Sequence, residues 1–61
     1  MKIAVDAMGG DHGPAPNIEG ALQAATELGV EVILVGDQST LREQLTRLRI
    51  TDPRLTVRHA S

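Results

Sequence analysis

The sequence predicts an α/β fold of parallel strands connected in the order β-α-β-α-β. Three observations carry that reading. Ile3-Ala4-Val5 and Val32-Ile33-Leu34-Val35 are continuous apolar runs, as in strands covered on both faces. Between the strand candidates lie stretches whose apolar residues recur at helical spacing. Strand and helix patterns alternate, which implies parallel pairing and right-handed crossovers.

Lys2 to Val5 reads as the first strand. Ala7 to Ala15 holds three glycines and one proline in nine residues, which is loop composition. Pro16 fits a first helical turn, where its missing N–H costs nothing. Ile18, Ala21, Leu22, Ala25 and Leu28 then form one apolar stripe, kept shallow by Gly20 and the alanines. Gly29 suits the left-handed residue that closes a helix.

Val30 to Val35 is the second strand, rich in β-branched residues. Gly36-Asp37-Gln38-Ser39 reads as a turn into the next helix. Its cap is left open between Asp37, Ser39 and a Thr40–Glu43 capping box. Leu41, Leu45 and Leu48 supply the buried stripe of that helix, with Arg42, Arg47 and Arg49 largely off it. Asp52-Pro53 ends the element. Leu55 to Arg58 reads as a third strand, with His59-Ala60-Ser61 at its carboxyl end.

The chain has 61 residues, no cysteine and no aromatic side chain, so neither disulfides nor large rings stabilise it. A parallel sheet needs helices on both faces, and only two helices are encoded. Residues 1–61 are therefore expected to be the N-terminal part of a larger single α/β domain. The net charge of −2 argues against a nucleic-acid footprint. Five arginines against two acids in residues 38–61 read as a solvated helix face. The longest aliphatic run, Val32 to Val35, is too short to span a bilayer. The first residues lack a signal-peptide pattern, so a cytoplasmic location is expected. No group of histidines and carboxylates has metal-binding spacing, and no cofactor is expected.

Ligands of open α/β sheets bind beyond the carboxyl ends of the strands. The loop after the first strand, Asp6-Ala7-Met8-Gly9-Gly10-Asp11-His12-Gly13-Pro14, is accordingly the candidate site. It has neither the G-x-G-x-x-G fingerprint nor the Lys-Ser/Thr pair of a P-loop. Its glycines instead let backbone approach a ligand, or simply turn the chain. Asp6 either orders the loop by accepting its N–H groups or binds a substrate hydroxyl or metal, and loop ordering is favoured. Asp11 would repel a bound phosphate, so capping the loop and holding His12 suit it better. His12 is a candidate for donating to an anionic oxygen, for proton transfer, or for packing in the loop. Asp37 stands where dinucleotide folds place a ribose-binding acid, but without the matching glycines a helix cap is the stronger reading. His59 points to the same crevice from the third strand.

Residues Met1 to Pro14, with the motif Asp6-Ala7-Met8-Gly9-Gly10-Asp11-His12 at their centre, resemble the opening of the PlsX family of phosphate acyltransferases. The likeness continues through Glu19-Gly20-Ala21, Ile33-Leu34-Val35-Gly36-Asp37 and His59-Ala60-Ser61. It implies transfer of a fatty acyl group from acyl carrier protein to inorganic phosphate, giving acyl phosphate for phospholipid synthesis. It also implies a three-layer sandwich similar to phosphotransacetylases and isocitrate dehydrogenase-like proteins, a homodimer, and peripheral association with the cytoplasmic membrane. On that reading Asp6, Gly9, Gly10 and Asp11 belong to the substrate site and His12 is the catalytic candidate. A nucleotide- or cofactor-binding module of dehydrogenase type is the alternative, as is an inert fragment.

Overall fold

The computed structural model describes residues 1–9 and 13–60. Five elements follow in order: β1 (Lys2–Asp6), α1 (Ala15–Leu28), β2 (Glu31–Gly36), α2 (Gln38–Arg47) and β3 (Leu55–His59). The strands form one sheet in the order β1-β2-β3, and both pairings are parallel. The α/β class and the β-α-β-α-β connectivity are as the sequence predicts.

Register fixes which residues share a face. Ile3 lies beside Val32 and Val5 beside Leu34; Leu55 and Val57 continue the two rows on β3. Two crossovers of the same hand that step in one direction place both helices over this face. Ile18, Ala21 and Ala25 of α1 and Leu41 of α2 meet Val32, Leu34 and Leu55 there, with Ala7 and Val30 at the margins. Ile18, Leu34 and Leu41 are fully buried. Each such side chain contributes roughly 1.5–3 kcal/mol through burial.

The opposite face carries Ala4, Ile33 and Val35 at its centre, with Lys2, Glu31, Thr56 and Arg58 around them. Ile33 and Val35 are half-buried and Ala4 is exposed. The described residues thus form two layers, a sheet and a helical layer. β2 is apolar towards both faces, which is the pattern of a strand covered twice.

Helix α1 begins one residue before Pro16, which takes the second helical position. It closes at Gly29, whose φ of 65° is left-handed and whose N–H donates to the Ala25 carbonyl at 3.0 Å. Leu28 departs from the expected stripe and is 68% exposed. The chain turns back at Gly29, and Val30 enters the core there in its place.

Helix α2 ends in a Schellman motif. Ile50 N–H donates to the Leu45 carbonyl at 2.9 Å and Arg49 N–H to Thr46 at 3.1 Å. Arg49 occupies the left-handed position with φ 58°, where glycine is the usual residue. Arg49→Gly should therefore raise stability by about 0.5–1 kcal/mol. A higher urea midpoint at unchanged slope is the expected readout.

Arg54, at the entry to β3, ties three elements together. Its guanidinium pairs with both oxygens of Asp52, at 3.1 and 2.8 Å, and donates to the Ala25 carbonyl at 3.1 Å. Its own carbonyl accepts from Val32 N–H at 2.8 Å. A cation at the last turn of α1 also suits the helix dipole.

Candidate active site at the carboxyl edge of the sheet

β1 delivers Asp6 to the carboxyl edge, and its side chain folds back on the loop. Asp6 Oδ1 accepts from Met8 N–H at 3.1 Å, an Asx turn that sets the first bend. This is the loop-ordering role favoured for Asp6 from sequence. Ala7 N–H extends the sheet ladder to the Val35 carbonyl at 3.0 Å, and Ala7 is fully buried.

The other end of the clamp comes from α1. Asn17 Nδ2 donates to the carbonyls of Ala7 at 3.1 Å and Gly9 at 2.7 Å. One amide thus satisfies two loop carbonyls and holds the glycine loop against the helix start. Asn17 was not among the residues singled out from sequence. Its signal is a two-donor side chain in the first turn after a loop whose carbonyls lack strand partners.

Gly13 takes a left-handed φ of 78° before Pro14, the N-cap of α1. Proline offers no side-chain acceptor, and among the described residues no side chain accepts from the first turn. Gly10, Asp11 and His12, three of the proposed site residues, lie outside the described residues, as does Ser61.

At the end of β2, Asp37 resolves the capping choice. Its Oδ2 accepts from Thr40 N–H at 3.1 Å and also from the Thr40 hydroxyl. Ser39 and Glu43 take no part in capping; Glu43 pairs with Arg47 along the exposed face of α2 at 3.1 Å. Asp37 is thus committed to the helix, as the stronger sequence reading has it. The Thr40 hydroxyl and then the Thr40 N–H hold its carboxyl below the usual 3.8, with His59 adding a smaller pull.

A depressed carboxylate contributes stability above its unfolded value and loses it as pH falls through the folded one. Asp37→Asn keeps an acceptor for Thr40 but removes the titration. That variant should lose less stability than the parent on acidification below about pH 4. Thermal midpoints across acidic pH check it, and parallel curves would contradict it. Asp52 behaves in the same sense, its carboxyl lowered chiefly by Arg54.

His59 stands at the end of β3, in register with Gly36. Its Nδ1 accepts from Gln38 N–H, the first donor of α2, at 3.2 Å. Ala60 N–H donates to the Gly36 carbonyl at 3.0 Å. The structure therefore brings Asp6, Gly9 and Asn17 together at one strand end, and Asp37, Gln38 and His59 together at the neighbouring two.

A groove of about 600 Å³ lined by Arg42, Leu45, Thr46, Arg49, Ile50 and Thr51 lies elsewhere, at the carboxyl end of α2. Helices run back against parallel strands, so that groove opens at the opposite edge from the glycine loop. Among the described residues no three histidines or carboxylates gather as a metal site. No described helix is long and apolar enough to cross a membrane.

A parallel sheet with helices in its crossovers and a first loop held to α1 by Asn17 defines an open-sheet α/β protein, the class whose ligands bind beyond the carboxyl ends of the strands. The family described as fatty acid synthesis protein matches residues 1–61, and the chain belongs to it. The Elusimicrobium minutum phosphate acyltransferase is 56% identical over 61 residues, covering 98% of this chain and 18% of that protein. The Trichlorobacter lovleyi and Geobacter sulfurreducens phosphate acyltransferases are each 46% identical over 61 residues, covering all of this chain and 18% of theirs. The chain thus spans about a fifth of the length of the curated relatives it matches.

Proposed function

We propose that the protein carrying this chain is a phosphate acyltransferase, moving a fatty acyl group from acyl carrier protein to inorganic phosphate. The product is an acyl phosphate for phospholipid synthesis. The observation that supports the reading most is the agreement of relatives named phosphate acyltransferase across the whole stretch that builds the clamped loop.

Phosphate is already an anion and needs little deprotonation. One phosphate oxygen attacks the thioester carbonyl carbon, the C–O bond forms, and the carbon–sulfur bond breaks as the tetrahedral intermediate collapses. The sulfur leaves with the electron pair and takes up the proton that hydrogen phosphate gives up, forming a thiol whose ordinary pKa of about 8.5 makes it an undemanding leaving group. The protein's task is to hold phosphate in line and stabilise the oxyanion. Backbone N–H groups around Gly9 and Gly10 suit that task, His12 serves as a hydrogen-bond donor, and Asp11 orients His12. Asp6 and Asn17 hold the loop in shape. No cofactor enters this chemistry.

A homodimer, peripheral attachment to the inner face of the cell membrane, and a cytoplasmic location complete the reading; they rest on the PlsX resemblance. No nucleic acid takes part. Residues 1–61 alone are expected to be inactive. In the full-length gene product, His12→Ala should lower turnover about 100-fold, the scale for one lost oxyanion donor. Kinetics equal to those of the parent would remove His12 from the site.

A further inference from the structure

Gly36 is the last residue of β2 and continues the row of Val32 and Leu34, so a side chain there would point at the helical layer. It is buried, and a Cβ would overlap Met8 Cγ and come within 3.1 Å of Met8 Sδ and 3.3 Å of Leu41 Cδ1. The Met8 side chain fills the room that glycine leaves. It lies on the strand end, beside the fully buried Leu41 of α2.

That contact is a third hold on the first loop. Asp6 Oδ1 accepts from Met8 N–H at 3.1 Å. Asn17 Nδ2 donates to the carbonyls of its two neighbours, Ala7 and Gly9, at 3.1 and 2.7 Å. Those bonds tie the backbone to β1 and α1, and the Met8 side chain ties it to the junction of β2 and α2. Met8 is 39% exposed and outside the buried core, so it can leave its seat without opening the sheet. The contact therefore matters more to the path of the loop than to the core. The glycines read as the phosphate site follow directly in sequence.

We propose that Met8 is a positioning residue: seated on Gly36, it sets the direction in which the glycine loop leaves the sheet and so aims the backbone N–H groups at phosphate. Gly36 is the other half of the contact, needed as glycine because any Cβ displaces Met8. This rests on the acyltransferase reading.

The contact can be broken from either side in the full-length gene product. Met8→Ala empties the seat, and Gly36→Ala fills it. Each should lower kcat/KM for phosphate about tenfold, short of the roughly 100-fold that a 1 Å misplacement can cost, because Asp6 and Asn17 still hold the backbone. The KM for the acyl-carrier-protein thioester should stay at the parent value. The double variant should lose no more than either single one, since both remove the same contact. Met8→Leu, which conserves volume, should recover most of the loss.

Far-UV circular dichroism and thermal melts establish that each variant is folded; if Gly36→Ala is not, Met8→Ala and Met8→Leu decide alone. Parent kinetics in folded variants, with only their melting midpoints lowered, would reduce the contact to packing and overturn the assignment. Losses that multiply in the double variant would overturn it too. A parent enzyme that forms no acyl phosphate overturns the acyltransferase reading itself, and the Met8 role with it.

Discussion

Leu34→Ala in the full-length gene product is expected to cost about 3–4 kcal/mol, a large share of the roughly 5–15 kcal/mol that holds a native domain folded. Leu34 sits on the central strand, fully buried, in the row that both helices cover. Truncation opens a cavity between sheet and helices that strands held on both sides by ladder bonds cannot close. Leu28 is the matched control, since it is the same residue type at 68% exposure. Leu28→Ala should change stability by no more than about 0.5 kcal/mol. Urea unfolding of both variants decides the matter, and equal losses would mean that the core is misplaced.

Asn17→Asp carries the second large effect, on activity. The substitution keeps the shape of the side chain but replaces its two donors with acceptors. A carboxylate then faces the Ala7 and Gly9 carbonyls, which Asn17 reaches at 3.1 and 2.7 Å. Loss of two hydrogen bonds, with repulsion added, is worth about 100-fold in kcat/KM if the loop must be held for reaction. Helix content should remain, because Asn17 is half-buried at the helix start and outside the core. Full activity in a folded Asn17→Asp enzyme would show that the clamp is not needed.

The fold was legible because periodicity and punctuation agreed. The β-branched run of β2, the Ile18–Ala21–Ala25 stripe and Gly29 each pointed to the element that forms. Leu28 misled because helical spacing does not say where the sheet ends beneath the helix. Arg49 gave no sign of its left-handed backbone, since arginine at that position is uncommon. The Arg54 anchor was equally hidden: its partners Asp52 and Ala25 are brought to it by tertiary structure, 2 and 29 residues away.

The site was legible in part. Asp6 ordering its own loop is a local interaction across two residues, so sequence reasoning reached it. Asn17 acts across eight and ten residues, through a loop whose path the sequence does not specify. Asp37 emerged as the cap over Ser39 and Glu43 through backbone geometry, its extended φ of −69° and ψ of 111° aiming the carboxylate at Thr40. For His59, strand position indicated the crevice, but the bond it accepts from Gln38 N–H needed the register of β2 and β3.

The proposed role of the clamped loop is acyl transfer to phosphate. The direct measurement follows the phosphorus nucleus by NMR while the full-length gene product turns over acyl-carrier-protein thioester with inorganic phosphate. A new acyl phosphate resonance is expected that grows in step with released carrier thiol and is absent when phosphate is omitted. Thiol release without that resonance, or no consumption of phosphate by an enzyme shown to be folded, would contradict it.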